Sequence, residues 1–163
     1  MSLSLKDALK HKHELFAVEF EKSKAVVEEW RTAVDALFDQ LVAWLEIADP
    51  EGIIKVARGT REVNEPGLGR YSIPDLNLRA FGSWVGAIPK ARTMFRRAAP
   101  PQVNAPEDSA GRVDITDEIR RYVLYRFSRD DNDAWFIHDI ALDNGLQPLT
   151  AERFESALLS YFR

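Results

Sequence analysis

From Phe16 onward an apolar side chain recurs at alternating steps of four and three: Phe20, then Ser23 as the one polar step, then Val27, Trp30, Val34, Leu37, Leu41, Trp44 and Ala48. A repeat averaging about seven residues per two turns gives a helix one continuous apolar seam. No Gly or Pro occurs between Leu5 and Ala48, while Asp49-Pro50 and Gly52 follow at once, so the strongest helix breakers are kept out of the seam and gathered at its end. Ser4 and Asp7 form a capping pair at the start, an acceptor for the first free backbone amides with an acid near the positive end of the helix dipole. The pattern predicts a single helix over 4–49. Val26, Ala33, Phe38, Val42 and Leu45 widen the seam in its second half, which therefore packs on the body of the protein. A straight helix of this span reaches roughly 65 Å at about 1.5 Å per residue, longer than one domain of this size is wide. Its first half is expected to project as an arm whose cover is a second copy of the chain.

After Gly52 the pattern changes to short apolar or alternating runs between turn residues, the texture of strands. Ile53–Val56, Tyr71–Phe81, Trp84–Phe95, Val113–Ile115, Arg121–Phe127 and Ala134–Ile137 are the predicted runs. Pro74 marks its run as an edge or a bulge, and Gly86 with Pro89 marks the next as broken. Gly82-Ser83 reads as a hairpin turn, and Pro100, Pro101 and Pro106 make 98–111 a proline-rich connection. The polar stretch Ser128–Asp133 joins the last two strands as a meander. Thr150 caps a final helix over 150–162 with Phe154, Leu158, Tyr161 and Phe162 as its apolar face, and Leu149 is placed to staple against Phe154. Strands that follow one another without intervening helices pair antiparallel. The expected fold is α+β: a long N-terminal helix, an antiparallel sheet of five or six strands over 53–138, and a C-terminal helix on the sheet.

Composition narrows this little. The chain has 163 residues, one domain's worth at about 150 residues per domain, so 1–163 is expected to form a single domain. Hydrophobic residues make up 45% and charged residues 29%, enough apolar material for a core and too much for a disordered chain. The absence of cysteine excludes disulfides, thiolate metal sites and cysteine nucleophiles and fits a reducing compartment. No apolar run of about 18 residues and no signal-like N-terminus occurs; a cytoplasmic protein without a membrane segment is expected.

The net charge of −4 gives no global attraction to nucleic acid, yet its distribution is uneven: the middle third is net basic and both flanks are net acidic. Arg79, Lys90, Arg92, Arg96 and Arg97, with Trp84 among them, combine positive charge with a stacking surface, the ingredients of single-strand binding. The competing reading pairs these cations with the acidic flanks inside the fold. Catalytic patterns are weak. Asp130, Asp131, Asn132 and Asp133 lack the alternation, glycine and distal Glu of a calcium loop. His138-Asp139 has only His11 and His13 as further histidines, two apart on a helix and so on different sides. Gly82-Ser83-Trp84-Val85-Gly86 is not a nucleophile elbow, and Gly67-Leu68-Gly69 lacks the rest of a dinucleotide loop. Asp114 with Asp117 and Glu118 is an acidic pair of the kind common on surfaces.

The sequence therefore points to a non-enzymatic interaction module without cofactor or metal. It is expected to form a homodimer through Phe16, Phe20, Val27, Trp30, Val34 and Leu37 and to present its sheet or loops to another protein. A nucleic-acid accessory protein using segment 70–97 is the rival, and a small hydrolase comes third.

Overall fold

A computed structural model describes residues 4–92, 109–129, 132–142 and 145–162. Helix α1 spans Leu5–Ala48 without interruption. Ser4 caps it by accepting from the Asp7 amide at 3.2 Å. At the other end the Asp49 amide closes the last turn on Leu45 O at 2.7 Å, and the Asp49 carboxylate accepts from the amides of Ile53 and Ile54 at 3.0 and 2.7 Å. These two bonds, that from Ile54 foremost, hold the Asp49 carboxyl below its ordinary pKa, since a carboxylate that accepts backbone N–H groups is favoured in its charged form.

Seven strands follow: β1 Lys55–Glu65, β2 Gly69–Ala80, β3 Ser83–Ala91, β4 Ser109–Thr116, β5 Arg121–Arg129, β6 Asn132–Asp139 and β7 Gln147–Pro148. Each pairs antiparallel with the next, giving one sheet in chain order; helix α2, Ala151–Tyr161, closes the fold. The class is α+β as expected, with seven strands instead of five or six. The extra strand, β7, is two residues long and ends in Pro148, too short for any period to register. Strand β1 runs well past Val56 because its continuation, from Arg58 to Asn64, is a mostly exposed and polar hairpin arm. Of the proline-rich connection, 109–111 belong to β4 and the remainder lies outside the described residues.

Pro74 sits inside β2 where only β1 pairs with it, so the strand is an edge on its other side there, as the proline implied, and its position explains a switch in the strand. Tyr71 and Ile73 are buried, and so are Leu76, Leu78 and Ala80, so the buried parity changes at Pro74-Asp75. β1 pairs along the whole of β2 from Gly69 to Arg79, whereas β3 pairs with it only from Leu76 to Ala80. Proline has no N–H to offer a second neighbour. The far half of the β1–β2 hairpin is thereby released from β3 and bends to α1, where Arg31 Nε donates to Ser72 O at 2.7 Å and Ser23 Oγ reaches Gly67 O at 3.4 Å. Pro89 is absorbed by a register shift between Pro89 and Ala91, and β3 remains continuous.

The core lies between the sheet and the second half of α1. Val27, Trp30, Val34, Leu37, Phe38, Leu41 and Leu45 pack with Ile73, Leu76, Leu78, Val85, Val113, Ile115, Leu124 and Ile137, and Phe154 and Leu158 of α2 complete the cluster. Trp30, completely buried, stacks on Trp135 with ring centroids 6.3 Å apart. Gly111 lies flat against the same indole: a Cβ there would sit 2.3 Å from a ring carbon, and its φ of +153° suits glycine. Thr150 caps α2 by accepting from the Arg153 amide at 3.2 Å. Tyr161 anchors its end, donating to Ile115 O at 2.8 Å; burial raises the pKa of its phenol.

Candidate interaction site

The structure divides the six residues of the expected self-association seam. Val27, Trp30, Val34 and Leu37 are between 0 and 6% exposed because the chain's own sheet covers them, and they are not on a surface that a second copy could reach. Phe16 and Phe20, at 66 and 57%, are open. They stack on each other with centroids 6.2 Å apart, one turn apart on the same face as the buried seam. Leu5 and Leu9 continue that side towards the tip, also exposed. From Leu5 to Lys22 nearly every residue is exposed, and among the described residues the body first hydrogen-bonds to the helix at Ser23, through the Gly67 turn. The arm is thus a bare helix of roughly 27 Å at about 1.5 Å per residue, continuous with the packed half of α1.

The buried half is pinned to the sheet by a charged contact that sequence gave no sign of. Arg126 of β5 is 2% exposed. Its guanidinium donates to Glu29 of α1 and to Asp133 of β6, the latter at 2.9 Å, and lies over the Trp30 ring at 6.0 Å. The hydrogen bond from Arg126 holds the Glu29 carboxyl below its ordinary pKa, against the opposing effect of burial. Arg58 makes a second clasp to Asp39 of α1 at 2.6 Å.

Among the described residues the basic segment does not gather into one patch. Arg79 and Trp84 are direct cross-strand partners on β2 and β3. Lys90 lies at the far end of β3, roughly 20 Å from Trp84 at about 3.3 Å per residue. Arg92 gives its backbone N–H to the buried Glu65 carboxylate at 3.1 Å, which also accepts from the Tyr71 hydroxyl at 2.5 Å; burial and then Glu65 raise the Tyr71 pKa. Arg96 and Arg97 lie outside the described residues. Trp84 is not a free stacking platform: its indole N–H donates to Asn77 Oδ1 at 2.9 Å and its ring lies over Gly86, where a Cβ would come within 2.6 Å of it.

Among the remaining candidates, Asp114 departs from the expectation of a surface acid. It is completely buried and held in a two-pronged pair by Arg112 Nε and Nη2 at 2.7 and 3.1 Å, with Arg121 at 3.7 Å. This is a satisfied structural ion pair on the sheet. Asp117 and Glu118 belong to the β4–β5 turn, where Asp117 accepts from the amides of Ile119 and Arg120. No group of three or more His, Asp or Glu residues suited to a metal occurs among the described residues, and no described helix is long and apolar enough to cross a membrane.

A second open apolar surface lies at the opposite end of α1. Leu45, Ile53, Ile54, Leu158, Leu159 and Phe162 line a cleft together with Phe81. Phe81 is 77% exposed at the tip of the two-residue β2–β3 hairpin. Both loop residues have positive φ, +52° at Phe81 and +75° at Gly82, the type I′ pattern that favours Asn-Gly. A bulky side chain in the left-handed region is uncommon and costs conformational energy. Neither the strain nor the exposure was visible in the sequence, where Phe81 reads as the last apolar residue of its strand.

Comparison with protein-family models, curated proteins and solved structures finds no match for this chain. The functional reading rests on these surfaces.

Proposed function

We propose that the chain is a non-enzymatic protein–protein interaction module that self-associates through the arm of α1 and offers the Phe81 cleft to another protein. The observation that carries the reading is the exposure of Phe16 and Phe20 in mid-arm, on a helix whose continuation is fully covered. Two stacked phenylalanines on a bare helix are an association or aggregation surface. The Phe81 cleft adds to this, because a strained and exposed aromatic at a hairpin tip lowers stability and so marks a position kept for contact.

The test is the oligomeric state. Wild-type protein at about 10–50 µM, a range in which a stable dimer persists, is expected to scatter light as a dimer. The double variant Phe16→Asp with Phe20→Asp is expected to be monomeric with an unchanged far-UV spectrum, since an unpaired carboxylate cannot be buried in the contact. A monomeric wild type overturns the reading. The same preparation mixed with a labelled single-stranded oligonucleotide at about 50 mM salt, where phosphate contacts are strong, is expected to show no binding; salt-sensitive binding would move the function to the nucleic-acid class.

A further inference from the structure

We infer that the occupant of the arm is a second copy of the chain lying antiparallel to it, with Leu9 of one copy against Phe20 of the other and His13 against Phe16. The inference rests on the self-association reading and adds its orientation and register, which three observations determine.

The first is space. On α1 the seam residues Val27, Trp30, Val34 and Leu37 are already covered by the chain's own sheet. A parallel partner would run along the seam from the tip into that region, and both bodies would compete for the same face. An antiparallel partner leaves the seam before reaching it.

The second is length. Within α1 the open stretch runs from the first helical residue, Leu5, to where Ser23 meets the Gly67 turn and Val27 becomes buried. In the antiparallel register the tip of each arm, at Leu5 and Lys6, arrives beside Ser23 to Val26 of the other copy. The described helix of each arm, from its Ser4 cap, is then covered as far as the body of its partner.

The third is charge. Lys6, Lys10 and Lys12 lie in the outer half of the arm against the single acid Asp7, and Glu14, Glu19 and Glu21 follow in the inner half against the single base Lys22. Lys12 and Glu19 each directly precede a seam position, His13 and Phe20, and so flank the seam on the same side. Antiparallel helices bring like flanks together. Lys12 therefore faces Glu19 of the second copy and Glu19 faces its Lys12, while Leu5 and Val26 make the matching apolar contacts further out. In a parallel pair Lys6 and His13 would each oppose their own counterpart, and Lys12 would have Ala17 as its neighbour.

The chain has no cysteine, which makes the orientation directly measurable. Differently sized versions carrying Leu9→Cys and Phe20→Cys are mixed, oxidised and separated by mass. The mixed disulfide is expected to dominate, and Leu9→Cys alone is expected to stay unlinked, because its two thiols would lie roughly 16 Å apart along the axis at about 1.5 Å per residue, beyond the ~7 Å limit for a disulfide. Efficient linkage of Leu9→Cys to itself overturns the orientation. Charge reversal is the second measurement and leaves the seam intact. Lys12→Glu alone and Glu19→Lys alone are each expected to weaken dimerisation about tenfold, as two attractive exposed pairs become repulsive, and Lys12→Glu with Glu19→Lys is expected to restore it. A parallel dimer would be insensitive to Lys12→Glu, and failure of the restoration overturns the register. Wild-type light scattering separates the two levels: a monomer overturns self-association itself, whereas a dimer that fails the disulfide and charge tests overturns only its geometry.

Discussion

Helix α1 carries one apolar repeat through two environments. From Val27 to Leu45 the seam is roofed by the sheet, with Trp30, Val34, Phe38 and Leu41 fully excluded from water; its outer end, with Phe16 and Phe20 on it, is exposed among the described residues. The repeat does not distinguish the halves, since its period reports only that one face wants cover. What separates them is the reach of the β1–β2 hairpin, whose turn stops at Ser23. The widening residues Ala33, Phe38 and Leu45 belong to the covered half because a sheet covers a broader stripe than a single helix does. A narrow seam flanked by opposite charges, as in the arm, suits another helix.

The largest effect expected of this contrast is on folding. Trp30→Ala should lower the unfolding free energy by about 3–5 kcal/mol, as expected for a large buried aromatic, and Gly111→Ala by ~2–4 kcal/mol, because the added methyl would have to displace the Trp30 indole from its stack on Trp135. Phe16→Ala, measured by denaturant titration at a concentration low enough to be monomeric, should change it by less than about 0.5 kcal/mol, as an exposed position does. Comparable losses at Trp30 and Phe16 would mean that the arm folds back on the body in solution.

A smaller effect is expected at the Glu29–Arg126 clasp, where truncation should be asymmetric. Glu29→Gln leaves the buried guanidinium with Asp133 as its only charged partner and should cost about 1–2 kcal/mol, below the usual figure for breaking a buried pair because Glu29 itself is half exposed. Arg126→Met should cost less than about 1 kcal/mol: the apolar stem is kept, and Glu29 and Asp133 are both open enough to regain water. The reverse order, read from denaturation midpoints, would show that the clasp supplies net attraction. Its pH dependence follows from the same geometry. The folded-state pKa of Glu29 is lowered, so the contact's stability is full above the ordinary glutamate range and is lost as pH falls through the depressed value. Asp49 has the same sign, from the bonds to Ile54 and Ile53. The stability of the wild type should therefore fall on acidification between about pH 5 and 3, and Glu29→Gln should flatten that fall.

Much of this architecture is legible in the residues, for local reasons. The ends of α1 follow from Ser4 with Asp7 and from Asp49-Pro50, and the start of α2 from Thr150, because capping and helix breaking are short-range chemistry. The meander follows from alternation and turns. What the sequence conceals depends on distant partners. Gly86 and Pro89 suggest a broken β3, yet Trp84 covers the glycine and a register shift accommodates the proline. Arg126 in an alternating strand gives no hint that Glu29 waits for it across 97 positions. Division of the seam at Val27 depends on where a hairpin ends, and no residue of α1 records that. Of the candidate site, Phe16 and Phe20 were legible as seam positions, whereas the cleft around Phe81 exists only once α1, α2 and the β2–β3 hairpin meet.

The smallest effect concerns that cleft and has the opposite sign. At Phe81 the backbone adopts the left-handed conformation that a type I′ turn demands, next to Gly82, and the side chain is 77% exposed. The folded state gains little from burying the ring and bears the cost of a bulky residue at positive φ. Asn tolerates this region better, and Asn-Gly is the favoured pair for such a hairpin. Phe81→Asn should therefore raise the unfolding free energy by about 0.5–1 kcal/mol, which for a chain of this length is roughly 1–4 °C in Tm. Dimerisation through the arm should be untouched, because the cleft lies at the other end of α1. A gain of stability with intact dimerisation is the outcome that shows the Phe81 ring is not kept there by packing or by the arm contact, and so leaves the cleft free for the proposed binding. A loss of stability on this substitution, measured by thermal unfolding, would instead make Phe81 a packing residue of the cleft floor and remove the second surface from the proposed function.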